Sequence, residues 1–98
     1  MARDEHIYIV SYDVSDPKRW RRLFKVMNGY GAWLQLSVFQ CRLSGKRLAE
    51  LRAACQEIVK AGEDHVLIMD LGPADRVEPR VESIGKPFSA VERGPIIV

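Results

Sequence analysis

Asp13 closes the apolar run "HIYIVSYDV" (residues 6–14), and five cations, Lys18, Arg19, Arg21, Arg22 and Lys25, follow it within residues 18–25. A carboxylate beside a basic helix offers the groups that phosphodiester chemistry needs. Cleavage requires a nucleophilic water and compensation of charge developing on the phosphate oxygens. Mg²⁺ or Mn²⁺ supplies both and prefers hard oxygen ligands such as a carboxylate. The other reading of Asp13 is punctuation, a cap on the helix or loop that follows. Asp16 competes for that task, because Pro17 behind it suits the first helical position, where a missing amide costs nothing. A water-mediated contact between Asp16 and a metal stays open.

The basic run also has two readings. Lys18, Arg19, Arg22 and Lys25 are candidates for phosphate contact, which is sequence-independent and salt-sensitive. A solvated helix face is the alternative. Arg42, Lys46 and Arg47 offer a second basic patch. Tyr12, next to Asp13, and Ser37 and Phe39, further along, are candidates for a cleft or an interface, with core packing the alternative for the two aromatics. His6 and His65 each stand at a strand start without the spacing of a metal pair, and both read as structural or exposed. No Ser/His/Asp arrangement, phosphate loop or zinc pattern occurs. Cys41 and Cys55 form no ligand motif and read as small buried apolar residues.

These side chains need elements to hold them. Residues 6–14 form a strand, and its few polar positions place it centrally. Trp20, Leu23, Phe24 and Met27 recur at helical spacing and give the basic helix one apolar face, ending near Gly29 to Gly31. Residues 32–43, "AWLQLSVFQCRL", are β-rich and read equally as one strand or as two broken near Gln35 to Ser37. Ser44 opens a second helix, with Leu48, Leu51, Cys55 and Ile58/Val59 buried and Gly62 ending it. "HVLIMDL" (65–71) is a further strand. With the middle run as two strands, the order is that of an α+β, ferredoxin-like βαββαβ sandwich with two helices on one sheet face. Tyr8, Tyr12 and Phe39 are expected on the opposite face, where an exposed apolar patch predicts dimerisation through the sheet. The chain reads as a single domain over residues 1–98, with a core at about 6–72 and an extension at about 73–98 that ends on "PIIV".

Composition sets the class. Apolar residues make up 47% and charged residues 29%, as in an ordinary soluble domain, and the net charge is only +2. Global charge therefore does not mark a nucleic-acid binder; the clustering of cations does. No apolar run reaches membrane-spanning length, "MARDEH" does not read as a leader, and a cytoplasmic, reducing location is expected.

Three stretches, "VSYDVSDPKRWRRLFKVMNGYG", "LQLSVFQCRL" and "DHVLIMDLG", together resemble the small CRISPR-associated endonuclease family whose members partner the CRISPR integrase in spacer acquisition. The matching motifs are Tyr12-Asp13, Tyr30-Gly31 and Ser37-Val38-Phe39-Gln40, in the family's order across almost the whole chain. Gln40 stands where the family usually has Glu, and Trp33 where Arg is common, so acid chemistry at position 40 is not expected. The resemblance implies a symmetric homodimer in which the C-terminal segment crosses to the partner's sheet. It also implies a divalent metal between the two copies of Asp13, and action on RNA, on duplex DNA, or as a non-catalytic bridge between integrase dimers. Like carboxylates so paired repel unless a cation or proton lies between them.

Overall fold

The computed structural model describes residues 4–87 and 91–92. The chain runs β1 (His6–Asp13), α1 (Pro17–Asn28), β2 (Gly31–Gln35), β3 (Val38–Leu43), α2 (Gly45–Ile58), β4 (His65–Pro73) and a short β5 (Val91–Glu92). The sheet order is β4-β1-β3-β2-β5, and every neighbouring pair is antiparallel. Four strands and two helices make the expected ferredoxin-like sandwich, with β1 central.

Local chemistry starts and stops the helices. The Asp16 carboxylate accepts the Arg19 N–H at 2.9 Å, Pro17 takes the first helical position, and Gly29 caps the far end. Leu23 and Met27 are buried, with Trp20 and Phe24 packed against the core beside them. Ser44 caps α2 by accepting the Arg47 N–H. α2 ends at Ile58, four residues short of the glycine expected to stop it. Gly62 instead takes a left-handed conformation (φ 87°) in the turn before β4.

The middle run is two strands. Leu36 and Ser37 connect β2 to β3, and Leu36 carries a left-handed backbone (φ 43°) that glycine or asparagine usually supplies. Two groups brace this turn: the Trp33 indole donates to the Leu36 carbonyl (2.9 Å), and the Tyr12 N–H donates to the Ser37 carbonyl (3.2 Å).

The core lies between the helices and one sheet face. It is built on Tyr8, Val10 and Tyr12 of β1, Phe39, Cys41 and Leu43 of β3, and Leu23, Met27 and Leu51 of the helices. This corrects the expectation that Tyr8, Tyr12 and Phe39 lie on the open face; Tyr12 is 4% exposed and Phe39 0%. Side chains alternate along a strand, and β1 is apolar at both parities, so sequence does not reveal which set meets the helices. The open face therefore carries the other parity. Ile9 faces Met69, Ser11 faces Leu67 and Asp13 faces His65 across the β1–β4 ladder. Leu67 is 53% and Met69 43% exposed. The segment after β4 runs along the other part of this face. Residues 74–79 line a groove with Ile7, Gln40 and Arg42, and Val81 to Ile84 line another with Leu34, Gln35 and Val38. The extra C-terminal strand is present as β5. In the single chain it pairs with its own β2, Ala32 facing Glu92 and Trp33 facing Val91. The "PIIV" end lies outside the described residues.

Candidate active site

Asp13 ends β1 at a corner of the sheet, exposed and on the open face. Among the described residues no hydrogen bond or ion pair engages its carboxylate. The neighbouring acids are committed elsewhere: Asp16 caps α1, and Asp64 pairs with Arg19. Asp16 does the capping, and the Asp13 side chain is left without a partner among the described residues. His65 is its cross-strand partner, also exposed, at a spacing where opposite Cβ atoms stand about 4.5–5.5 Å apart. The exposure of His65 agrees with the reading of its strand-start position, but its place opposite Asp13 comes from a register 52 positions long that no local motif announces.

Tyr12 and Phe39 do not line a cleft. Their rings stack at 6.4 Å inside the core, Trp20 stacks on Phe24 at 5.2 Å, and Phe24 meets Phe39 edge-on at 5.6 Å. The Tyr12 hydroxyl is buried with no hydrogen-bond partner, and burial pushes its pKa up, so it stays protonated. Ser37 is half-buried. Its Oγ accepts the Trp20 indole N–H at 2.8 Å, which latches the β2–β3 turn to α1.

The basic helix divides. Lys18, Arg22 and Lys25 are exposed as expected, and so is Arg21; none of the four makes an ion pair among the described residues. At positions 18, 21/22 and 25 they form one stripe. Arg22 and Lys25 also edge a groove between the helices, with Val26, Ala54 and Ile58 as its apolar part and Glu57 as its one acid. Arg19 differs from them in being paired within the chain. Its Nε and Nη2 donate to the two oxygens of Asp64 at 2.6 and 3.2 Å, with Glu63 and Asp16 further off at 3.6 and 3.8 Å. These hydrogen bonds, then one from the Lys60 N–H, hold the Asp64 carboxyl below the usual carboxylate range. The second patch is also partly spent. Arg42 pairs with Glu5; Arg47 pairs with Glu50, donates to the Gly29 carbonyl and lies 4.3 Å over the Tyr30 ring. Of that patch, only Lys46 is exposed and without a partner among the described residues.

A ferredoxin-like sandwich with a strand-end carboxylate and a basic helix stripe, both without partners among the described residues, defines the class of small α+β proteins to which the chain is compared. The family described as "CRISPR associated protein Cas2" matches residues 6–78. A CRISPR-associated endoribonuclease Cas2 of Geobacter sulfurreducens is 61% identical over 94 residues, covering 96% of this chain and 99% of that one. Another, from Rhodospirillum rubrum, is 52% identical with 96% and 92% covered. Among solved structures, a hypothetical protein of Thermus thermophilus superposes with a TM-score of 0.72 at 30% identity (89% of this chain, 99% of that one). Streptococcus pyogenes Cas2 follows at 0.70 and 28%, covering 81% and 99%. The chain belongs to the CRISPR-associated Cas2 family.

Proposed function

We propose that the protein is a CRISPR endonuclease that works as a homodimer, with the Asp13 carboxylates of two copies sharing one Mg²⁺ or Mn²⁺. The observation that carries this reading is that Asp13 is exposed and uncommitted while the acids around it are engaged. The names of the relatives, endoribonucleases, support RNA as a substrate. Duplex DNA is the alternative.

The donor set fits a metal only across two chains. Among the described residues no group of three or more acidic, His or Cys side chains comes together, so one copy offers too few ligands. Two-fold symmetry doubles the hard oxygen donors of Asp13. It would also cover Ile9, Leu67 and Met69, an apolar strip next to Asp13 on the open face. A bound divalent ion would supply an activated water and stabilise charge on the phosphate. The chain's own residues do the rest. β1 and β4 fix where Asp13 stands, and Lys18, Arg21, Arg22 and Lys25 attract the phosphate backbone without reading sequence. No helix among the described residues is long and apolar enough to cross a membrane, and both cysteines are free and buried, which suits a reducing cytoplasm.

One observation favours a second reading. The basic stripe lies on the helix layer, whereas Asp13 faces the other way from the sheet. Nucleic acid lying along α1 need not reach the carboxylate, as a scaffold bridging integrase dimers would have it. The discriminating experiment compares highly purified wild type with Asp13→Asn on RNA and on duplex DNA, with Mg²⁺ and with chelator. Metal-dependent cleavage lost in the variant supports the nuclease. Binding without cleavage by either protein supports the scaffold.

A further inference from the structure

Asp64 is a carboxylate with no exposed side-chain surface, an expensive placement unless its partners are fixed. Arg19 meets it with a two-pronged contact at 2.6 and 3.2 Å, and the Lys60 N–H adds a third bond at 2.9 Å. The location gives this pair its meaning. Asp64 immediately precedes His65, the ladder partner of Asp13. Arg19 stands in the first turn of α1, where its own N–H is held by Asp16, three residues beyond Asp13. The two segments that leave the Asp13–His65 corner, 14–16 and 60–64, are therefore bolted together by one guanidinium–carboxylate contact. Arg19 also sits among Asp16, Glu63 and Asp64, three negative charges that would otherwise face an approaching phosphate unscreened.

We propose that Arg19 and Asp64 are positioning residues of the Asp13 site: their buried contact fixes the β1–β4 corner from which Asp13 is presented, and Arg19 is not a phosphate ligand. This rests on the nuclease reading for its effect on catalysis, but the strut itself can be measured without cleavage. Gln at position 19 would place its amide nitrogen where Arg19 Nε now sits. Gln opposite Asp64 keeps one bond but loses the positive charge. Asn opposite Arg19 leaves the guanidinium without its counter-charge. The double change replaces the ion pair with a neutral hydrogen-bonded pair and leaves no buried charge unmatched.

The test compares Arg19→Gln, Arg19→Lys, Asp64→Asn and the Arg19→Gln/Asp64→Asn double variant in the full chain. Hydrogen exchange is followed over residues 12–16 and 63–66, together with nucleic-acid affinity and the kcat and KM of cleavage. The strut predicts exchange at the corner faster by about tenfold in each single variant, Arg19→Lys included, because an ammonium lacks the fork. It also predicts kcat reduced with affinity kept, and recovery of both in the double variant. Loss of affinity and of salt slope in Arg19→Gln, with Arg19→Lys and Asp64→Asn unaffected, would make Arg19 a phosphate contact and overturn the proposal. Unchanged corner exchange in every variant would overturn it too. If wild type cuts nothing, the nuclease reading fails, while the exchange pattern still decides the strut.

Discussion

Gly31→Ala should destabilise the fold although its backbone conformation suits alanine. Gly31 pairs with Cys41 where β2 enters the sheet. A Cβ built there lies 2.5 Å from Cys41 Sγ, 3.1 Å from its Cα, and in still tighter contact with the Gln40 carbonyl oxygen. The thiol could rotate away; the carbonyl belongs to β3 and cannot. Accommodation requires β2 to move off β3, and overpacking of this kind costs about 1–3 kcal/mol. Against it stands a gain of about 0.4–1 kcal/mol from stiffening the unfolded chain. The clash wins by about 1–2 kcal/mol, which for a domain of this size lowers Tm by roughly 5–15 °C. Urea titration followed by circular dichroism reads the free energy directly. In a Cys41→Ala background most of the penalty should persist, because the carbonyl remains. A Gly31→Ala protein as stable as wild type would refute the reasoning, and full rescue by Cys41→Ala would assign the clash to the side chain instead.

Arg22→Ala with Lys25→Ala should weaken binding to all nucleic acids alike and reduce the salt slope by about one unit per lost phosphate contact; an unchanged salt titration would leave these residues as a solvated helix face. Burial pushes the Cys41 thiol up to about 12 and raises that of Cys55, so neither should react with a thiol reagent in the native state at neutral pH; labelling should appear only on adding denaturant. Asp64 is held below the ordinary carboxylate range by Arg19, so its contribution to stability is complete above that range and is lost as pH falls through its lowered folded-state pKa. Acid titration of wild type against Asp64→Asn should therefore show a low-pH loss of stability in wild type that is smaller in the variant.

The fold was readable because local signals agreed. The Asp16–Pro17 start, the spacing of Trp20, Leu23, Phe24 and Met27, and the Ser44 cap each stand where expected. The Tyr30-Gly31 motif has a physical cause, the close approach of Gly31 to β3. The β2–β3 turn was not readable, because Leu36 and Ser37 carry no turn signature. The indole of Trp33 and the N–H of Tyr12 hold that turn from outside it. Strand parity was hidden by a β1 that is apolar on both faces. At the candidate site, the place of Asp13 at a strand end was legible, whereas the choice between cap and ligand was not, because a strand-end carboxylate serves either. The pairing of Arg19 was not, since its partner Asp64 lies 45 residues away and the helix pattern treats all its cations alike.

The central claim is that one divalent ion is shared by the Asp13 residues of two chains. Titration of the purified protein with Mn²⁺, followed by electron paramagnetic resonance, counts bound ions per chain independently of any cleavage. The account predicts one tightly bound ion per two chains, displaced by Mg²⁺ and absent in Asp13→Asn, with the dimer intact in both proteins by sedimentation. One ion per chain, or the same binding in Asp13→Asn, would contradict it.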